Sequence, residues 1–344
     1  MASLFAVSCS QENESSRTKN IQTILNHAPS LSDANEHAPG IASLVSKSTV
    51  AIKLTMVNPN DRSESFIDYC SGTIIDNQHI MSARHCFVDI TSFPSGDVAY
   101  ALRDVEVIFS NNADCRGREI NCPITPSSHI KKASFIYQDR ERLLVGSETQ
   151  LDPDFNNDGK IISNISDFFP VYHDVALLKV NGSIPRNYAP VKLNASNNPS
   201  NNVDLWISGF GVTRRNGPTS FDGSGSWVRT GDISYSAFRE YASTGDNGKR
   251  SLDLIEYQPG KIFGSRACFS DSGGSLYGRK YTLNSSGEKV FSGDWELYGV
   301  ISSGQAAEGS ECAGAMFATD VRKIQTWISA AKARRFLNRS PALD

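Results

Sequence analysis

The sequence predicts an all-β protein of antiparallel strands with one helix near its C-terminus. After residue 48, short β-branched runs alternate with clusters of Gly, Pro and Asn. The clearest runs are STVAIKLTMV, GTIIDNQHIMSA, DVEVIFS, HDVALLKV, VDLWISGFGV and WELYGVISSG. Such spacing of strands and turns is typical of an antiparallel β-sandwich or β-barrel. Helical periodicity is convincing only in DVRKIQTWISAAKARRFL, where apolar residues share one face and basic residues crowd the last turns.

Length and composition are those of a globular protein. The 344 residues have room for two ordinary domains or for one large all-β domain with insertions. With 39% hydrophobic and 21% charged residues, the chain can bury a sizeable core. Because the net charge is only -3, we expect neither nucleic acid nor an anionic membrane surface as a partner.

Residues 1–40 are predicted to be an export signal followed by a polar tether or propeptide. In MASLFAVSC, a short apolar run ends in small residues before Cys9, as in a bacterial lipoprotein signal whose cysteine becomes lipidated. The run lacks a basic start and is short for a signal, so an ordinary tail stays open as the alternative. We expect an exported protein: secreted, periplasmic, or held at the outer surface by a lipid on Cys9. No later run approaches the about 18 apolar residues of a membrane span.

The seven cysteines indicate disulfide bonds rather than a metal site. No CxxC pair is present and no histidine is grouped with cysteines, which argues against structural zinc. With Cys9 set apart, six cysteines are left for three bridges in an oxidising compartment. These six are Cys70, Cys86, Cys115, Cys122, Cys268 and Cys312.

Three short motifs supply the residue types of nucleophilic catalysis. SARHC contains His85, YHDVALLKV contains Asp174, and CFSDSGGS contains Ser272. A serine hydroxyl needs a base to take its proton, and a histidine base needs a carboxylate to orient it and stabilise its cation. Each motif alone has a simpler explanation. SARHC could hold a structural histidine, the aspartate of YHDVALLKV could cap the start of a strand, and CFSDSGGS could be a polar turn.

In this order the motifs resemble those of the chymotrypsin/trypsin-like serine peptidases, from about residue 41 to about residue 337. ISGFGVT and YGVISSG are similar to two further strands of that family, with Phe210 in place of a tryptophan. The resemblance implies two six-stranded antiparallel β-barrels, an active site between them and a C-terminal α-helix. It also implies a serine endopeptidase acting on protein or peptide substrates as a monomer, with no organic cofactor. The peptidase domain would be 41–337, with an insertion at about 110–167 and a tail at 338–344.

The resemblance also assigns roles to residues. His85 would be general base and then acid, Asp174 its orienting carboxylate, and Ser272 the acylated nucleophile. The backbone N–H groups of Ser270 and Ser272 would form the oxyanion hole. The extended substrate would pair with Ser302, Ser303 and Gly304. The implied bridges are Cys70–Cys86 and Cys268–Cys312, which leaves Cys115–Cys122.

Ser270 and Arg266 depart from the family pattern. Ser270 stands where the family has glycine, and a positive φ would cost serine about 1 kcal/mol or more. Ser270 leaves two alternatives: an oxyanion hole that forms only when substrate binds, or a catalytically silent homologue that binds proteins through the same cleft. A surface adhesin that depends on its tether is a third. In the family, the residue six before the nucleophile lies at the base of the specificity pocket; here it is Arg266, which argues against cleavage after Lys or Arg. It would favour acidic side chains, unless it turns away or Met316 narrows the pocket.

Activation is open between two routes. Family members are cut so that a new N-terminal Ile or Val pairs with the aspartate before the nucleophile, here Asp271. Ile41 lies at about the right distance before the first strand, but Gly40 precedes it instead of a basic residue. Cleavage between them by another peptidase and activity without processing are therefore both retained.

A calcium loop is predicted between His85 and Asp174, where DPDFNNDGKII resembles the first half of an EF-hand loop. Asp154, Asn156 and Asp158 would supply side-chain oxygens and Lys160 a carbonyl. The acidic residue that normally ends such a loop is missing. The alternative is a solvated turn rich in Asn and Asp. Bound calcium would be structural and would tie down the insertion.

Overall fold

Strands dominate the computed structural model of the chain. It describes residues 30–58, 63–87, 101–111, 129–138, 141–144, 174–195, 198–199, 202–211, 228–243, 250–263, 265–268, 271–304 and 315–333. Within these ranges the chain forms fourteen strands, three α-helices and one short 3-10 helix. The signal, the calcium loop and the C-terminal tail predicted from the sequence lie outside the described residues.

The first half of the chain folds into a closed antiparallel barrel. Its six strands follow the order β4-β1-β2-β3-β7-β5, and pairing of β5 with β4 closes the ring. Strand β6 adds to β5 outside the ring. The strands are β1 (Thr49–Val57), β2 (Ser65–Ile74), β3 (His79–Ser82), β4 (Ala101–Ile108), β5 (Ile130–Gln138), β6 (Glu141–Leu144) and β7 (Ala176–Val180).

The second half forms another closed barrel, so the prediction of two six-stranded antiparallel barrels is confirmed. Its order is β12-β9-β10-β11-β14-β13, closed by pairing of β12 with β13, and β8 adds parallel to β13. Closure leaves no free edge inside either ring. The strands are β8 (Lys192–Leu193), β9 (Val203–Gly209), β10 (Arg229–Ser243), β11 (Arg250–Pro259), β12 (Ser275–Leu283), β13 (Lys289–Gly304) and β14 (Met316–Asp320).

Each barrel has its own apolar core, and a third apolar cluster joins the two. Ile52 and Leu54 belong to the first core and Ile255 to the second. The joining cluster takes residues from both barrels, including the fully buried Trp206. Burying a large apolar side chain contributes about 1.5–3 kcal/mol, so this shared cluster fixes the barrels against each other.

Buried hydroxyl groups also bind the barrels together. Thr49 Oγ1 lies 2.8 Å from Ser208 Oγ and 3.0 Å from the Tyr277 hydroxyl. The hydroxyls of Thr73 and Ser275 are hydrogen-bonded to each other. Because a buried polar group without a partner costs about 1–3 kcal/mol, these pairs favour one relative position of the two barrels.

Part of the segment predicted to be a polar tether is helical. Helices α1 (Leu31–His37) and α2 (Ile41–Ser48) precede the first barrel. A capping box between Ser30 and Asp33 begins α1, and Ala34, Ile41 and Val45 are fully buried in the joining cluster. Helices of seven and eight residues are marginal alone, so their packing against the barrels decides that they form.

The predicted C-terminal helix is confirmed as α3 (Gln325–Ala333). Ile328 is buried on its inner face and Trp327 packs beside it. Lys332 Nζ lies 2.8 Å from Asp76 Oδ2, which ties the helix of the second half to the first barrel. Among the described helices, none has the length and apolar character needed to cross a bilayer.

We expect Ile41→Ala to destabilise the protein by about 2–5 kcal/mol, because it leaves a cavity in the joining cluster. Urea-induced unfolding of the full chain measures this. Ser43→Ala is the matched control, since Ser43 is exposed on the same helix and should change stability by less than about 0.5 kcal/mol. Equal effects of the two variants would contradict the packing of α2.

Candidate active site

A short turn at the end of β3 holds His85. The turn is the 3-10 helix Arg84–Cys86, and a disulfide bond from Cys86 to Cys70 anchors it to strand β2. This bridge was expected from the family resemblance and is confirmed. The disulfide fixes the backbone directly after His85. Few further contacts are then needed to orient the His85 ring.

Asp174 reaches His85 because β3 and β7 are antiparallel neighbours. Ser82 at the end of β3 pairs with Ala176 at the start of β7. Residues just after β3 and just before β7 therefore lie at the same rim of the barrel. There Asp174 Oδ2 lies 2.7 Å from His85 Nδ1, and Asp174 Oδ1 accepts the His85 backbone N–H at 2.9 Å.

The carboxylate of Asp174 has a third donor that sequence reasoning missed. Ser302 Oγ donates to Asp174 Oδ2 at 2.6 Å, and Thr319 Oγ1 donates to the Asp174 carbonyl at 3.2 Å. Ser302 lies at an irregularity in the pairing of β13 with β14, between Ile301 and Ser303. Such a bulge turns one residue out of the regular alternation. No local signal could reveal this contact, because Ser302 and Asp174 are far apart in the chain.

The electrostatics of this pair favour an ionised Asp174 beside a basic His85. Burial works to raise the pKa of Asp174, but the charge of His85 and the hydrogen bonds from His85 and Ser302 hold it below its ordinary value. Burial works to lower the pKa of His85, but Asp174, and to a lesser extent the charge of Asp68, raise it above its ordinary value. His85 Nδ1 is thus the donor to Asp174, which leaves Nε2 to accept a proton. The His85 side chain is 38% exposed, so it is accessible.

Ser272 lies on a tight turn that is pressed against the first barrel. Its carbonyl accepts the Ser71 N–H at 2.8 Å, and Cys86 Sγ lies 3.9 Å from the same oxygen. Gly273 has a φ of 81°, and a Cβ there would lie 2.1 Å from Ser82 Oγ. Only glycine fits such a conformation and such a close approach. The turn therefore brings Ser272 to the rim that carries His85.

Within the described residues, Ser272 Oγ makes no hydrogen bond to His85. Bonds between a nucleophile and its base are often long without substrate and tighten in the reacting complex. Ser270 lies outside the described residues, so its part in an oxyanion hole stays a prediction. The Ser272 N–H, the other predicted donor, lies on the Ser272–Gly273 turn.

Asp271 holds the turn that contains Ser272 and Gly273 from inside. Its Oδ1 accepts the Gly211 N–H at 2.8 Å and its Oδ2 accepts the Cys268 N–H at 2.9 Å. Burial raises the pKa of Asp271 to about 6, although both N–H bonds and the charge of Arg229 act to lower it. Ile41, the expected partner in a cleaved chain, is here the buried first residue of α2. Pairing of a freed Ile41 amine with Asp271 stays a prediction.

The predicted substrate-binding residues lie on strand β13 and in the segment 265–268 that precedes the turn of Ser272. Ser303 and Gly304 end strand β13, beside Phe317 and Met316 of β14. Arg266 is partly buried, and the N–H of Ala267, its neighbour, approaches Met316 Sδ at 3.1 Å. Met316 thus adjoins the loop of Arg266, as one of the sequence alternatives supposed. The specificity of the pocket stays a prediction.

The remaining predicted sites fall mainly outside the described residues. Cys268 is disulfide-bonded, and its partner lies outside the described part of the chain. The bridges Cys268–Cys312 and Cys115–Cys122 therefore stay predictions. The same holds for lipidation at Cys9 and for calcium at Asp154, Asn156, Asp158 and Lys160. In the described ranges, no group of three or more His, Cys, Asp or Glu residues is arranged to hold a metal.

Comparison with known proteins identifies relatives of this arrangement. The model of the trypsin family matches residues 136–328, a range that contains Asp174 and Ser272. A CLIP domain-containing serine protease B4 of Anopheles gambiae is 24% identical over 278 residues. That match covers 78% of this chain and 63% of the relative, so the chain spans less than two thirds of the relative's length.

Three solved structures with similarity to the chain are distant from it in sequence. HL collagenase is 18% identical, with a TM-score of 0.43, covering 83% of this chain and 94% of that one. A scabies mite inactivated protease paralogue is 16% identical, with a TM-score of 0.44, covering 84% and 95%. The active form of a protease from M. tuberculosis is 14% identical, with a TM-score of 0.45, covering 93% of each chain.

We expect Asp174→Asn to lower the pKa of His85 below the ordinary value of about 6.5. Removing the negative charge leaves burial as the dominant influence, and burial disfavours the cation. NMR titration of the His85 ring measures this. In Asp104→Asn, which changes a carboxylate paired with Lys132, the His85 titration should match that of the unaltered chain. An unchanged or raised pKa in Asp174→Asn would contradict the assigned pairing.

Proposed function

Because the chain belongs to the trypsin family, we propose that it is a serine endopeptidase that hydrolyses peptide bonds through an acyl-enzyme. The proposal rests on the pair of His85 and Asp174, which two hydrogen bonds join. This pair lies next to the tight turn that contains Ser272 and Gly273. A histidine held through both its ring and its backbone has one free ring nitrogen in a fixed direction. That is the requirement for a general base.

The reaction begins with proton transfer from Ser272 to His85. As Ser272 Oγ attacks the carbonyl carbon of the substrate, His85 Nε2 takes the hydroxyl proton and becomes a cation. Asp174 stabilises that cation and stays ionised itself. His85 then donates the proton to the leaving amine, which leaves an acyl group on Ser272. Water repeats the two steps and releases the acid product.

Three hydrogen bonds to Asp174 support its role. The His85 ring, the His85 backbone and the Ser302 hydroxyl all donate to its two oxygens. A carboxylate with several donors keeps its charge even when it is partly buried. Ser302 thus acts through Asp174 as a positioning residue, in addition to the substrate pairing expected at the end of β13.

The oxyanion hole would use the N–H groups of Ser270 and Ser272. One such donor lowers the activation free energy by about 3–4 kcal/mol in a comparable peptidase. A serine at 270 would have to accept a backbone conformation that favours glycine, at a cost of about 1 kcal/mol or more. Substrate binding can compensate that cost, since it adds contacts that the empty cleft lacks.

The substrates would be proteins or peptides outside the cytoplasm. The extended substrate would lie along Ser303 and Gly304, with an acidic side chain directed to Arg266 by paired, charge-assisted hydrogen bonds. The protein would be exported, with a lipid on Cys9 and a structural calcium in the loop of Asp154 as further parts of the proposal. Neither the lipid nor the calcium takes part in the chemistry.

The second candidate function is a catalytically silent homologue that binds proteins through the cleft. The observation favouring it is Ser270, because a residue other than glycine at this position could leave the oxyanion hole collapsed. Such a protein would keep the fold and the substrate groove but would not acylate Ser272.

Labelling with a fluorophosphonate separates the two functions. We expect the full chain to react, and both Ser272→Ala and His85→Ala to lose at least about 10³-fold in labelling rate, because nucleophile and base act as one unit. Ser286→Ala, which changes an exposed serine in a hairpin turn, should label at the wild-type rate. Absence of labelling both in the unaltered chain and in a chain processed to begin at Ile41 would favour the silent binding protein.

Peptide-library cleavage tests the pocket. We expect cleavage after Glu or Asp, and in Arg266→Ala a loss of about 10–100-fold in kcat/KM for those peptides, the effect of losing a hydrogen bond to a charged group. Arg103→Ala, on the exposed face of β4, should leave the preference unchanged. Cleavage by the unaltered chain mainly after Lys, Arg or large apolar residues would contradict the acidic preference.

A further inference from the structure

The Asp271 carboxylate occupies the space above two glycines of the second barrel. A Cβ added to Gly209 would lie 2.2 Å from Asp271 Oδ1, and one added to Gly211 would lie 2.2 Å from Asp271 Oδ2. The end of β9 therefore forms the floor on which this carboxylate rests. Because Asp271 immediately precedes Ser272, its position also sets the backbone of the nucleophile.

Strand β10 places a cation next to this carboxylate. Arg229 is directly opposite Gly209 in the antiparallel pairing of β9 with β10. Directly opposite residues extend from the same face of a sheet, with Cβ atoms about 4.5–5.5 Å apart. Since Asp271 Oδ1 fills the side-chain position of Gly209, the Cβ of Arg229 lies near that oxygen, while among the described residues no direct ion pair joins the guanidinium to Asp271.

Charge and burial are consistent with that placement. The positive charge of Arg229 acts to lower the pKa of Asp271 against the effect of burial. The Nε atom of Arg229 is buried, so part of the guanidinium lies in the interior. A buried carboxylate without a cation tends to become neutral, whereas arginine keeps its charge at all ordinary pH values.

Tyr257 of β11 is a further titratable group near Asp271 among the described residues. Its hydroxyl is fully buried, and burial followed by the charge of Asp271 holds its pKa well above the ordinary value. Tyr257 is therefore neutral wherever the protein is folded. The remaining groups on the Asp271 carboxylate are the backbone N–H groups of Gly211 and Cys268. Among these described neighbours, Arg229 supplies the positive charge.

The uncleaved chain holds the Gly40–Ile41 bond in place. The Ile41 N–H donates to the Ala38 carbonyl at 3.0 Å, and the Gly40 N–H donates to Asn35 Oδ1 at 2.9 Å. Just before this bond, the Pro39 carbonyl accepts Arg279 Nη1 at 3.1 Å and Trp295 Nε1 at 3.3 Å. A peptidase needs an extended, accessible segment, and these contacts oppose it.

We propose that Arg229 is the internal counter-ion of Asp271, a positioning residue that keeps the nucleophile turn in place in the uncleaved chain. This inference rests on the proposed function, since it concerns the state of the same site. It makes cleavage between Gly40 and Ile41 unnecessary for activity. Arg229 would do from within the barrel what a freed N-terminal amine does after processing.

The first test asks whether uncut protein is active. The full chain is labelled with a fluorophosphonate, and the labelled molecules are sequenced from their N-terminus. We expect labelled chains that begin upstream of Ile41. If every labelled molecule begins at Ile41, the inference is wrong while the proposed function stands. If no form labels, the proposed function fails, and the stability test described below still decides whether the two charges interact.

The second test removes the cation. In Arg229→Met, Asp271 loses its counter-ion and its pKa rises further, so at pH 7 more of it is neutral and the turn loosens. We expect at least about tenfold slower labelling at pH 7, with much of the loss recovered near pH 9, where Asp271 ionises again. Arg229→Lys should keep most of the rate. Arg103→Met, an exposed arginine of β4, should match the unaltered chain. Unchanged labelling in Arg229→Met would overturn the inference.

A stability cycle covers the case in which Arg229→Met folds poorly. Tm is measured for Arg229→Met, Asp271→Asn and the double variant, all in the Ser272→Ala background, so that no activity is needed. If the two charges interact, the double variant should melt about 2–4 °C above the value that adding the single shifts gives. Additive shifts would show that Arg229 and Asp271 do not interact, and would overturn the inference.

Discussion

The close contact between the nucleophile turn and the first barrel is the constraint on which the site depends. Ser272 precedes strand β12 of the second barrel, whereas His85 and Asp174 lie at the rim of the first. Gly273 lets the turn approach Ser82 and Ser71 more closely than any side chain would allow. The shared apolar cluster and the buried hydroxyl pairs hold the barrels at that separation. The turn of Ser272 lies against the rim that carries His85 and Asp174 because two separately closed barrels are packed together.

Two partly buried carboxylates border this contact, and each takes at least one hydrogen bond from a distant part of the chain. Asp174 takes hydrogen bonds from His85 and Ser302, and Asp271 takes them from Gly211 and Cys268. Removing a carboxylate from water is costly, so neither would keep its charge without these partners. The same donors that stabilise the charges also fix the positions of His85 and Ser272. Electrostatics and geometry are therefore set by one group of contacts.

Much of the fold could be predicted because its signals are local. The alternation of β-branched runs and turn residues indicates the strands, and i, i+3, i+4 spacing indicates α3. Helices α1 and α2 could not be predicted, because seven or eight residues have little helical stability of their own. Their apolar residues are satisfied only by the cluster between the barrels. Strands β6 and β8 also depend on tertiary contacts, because each forms only by pairing with a strand at the outside of a closed ring.

The sequence by itself determined the residue types of the site and their order His85, Asp174, Ser272, and the family resemblance implied the bridge between Cys70 and Cys86. These follow from short motifs in which neighbouring residues carry the information. Only the tertiary structure decided that Ser302 donates to Asp174 and that Arg229 lies opposite Gly209, the glycine against which Asp271 packs. Both depend on strand register, and register is set by pairing between segments far apart in the chain. A linear sequence specifies that pairing only through the free energy of the whole folded molecule.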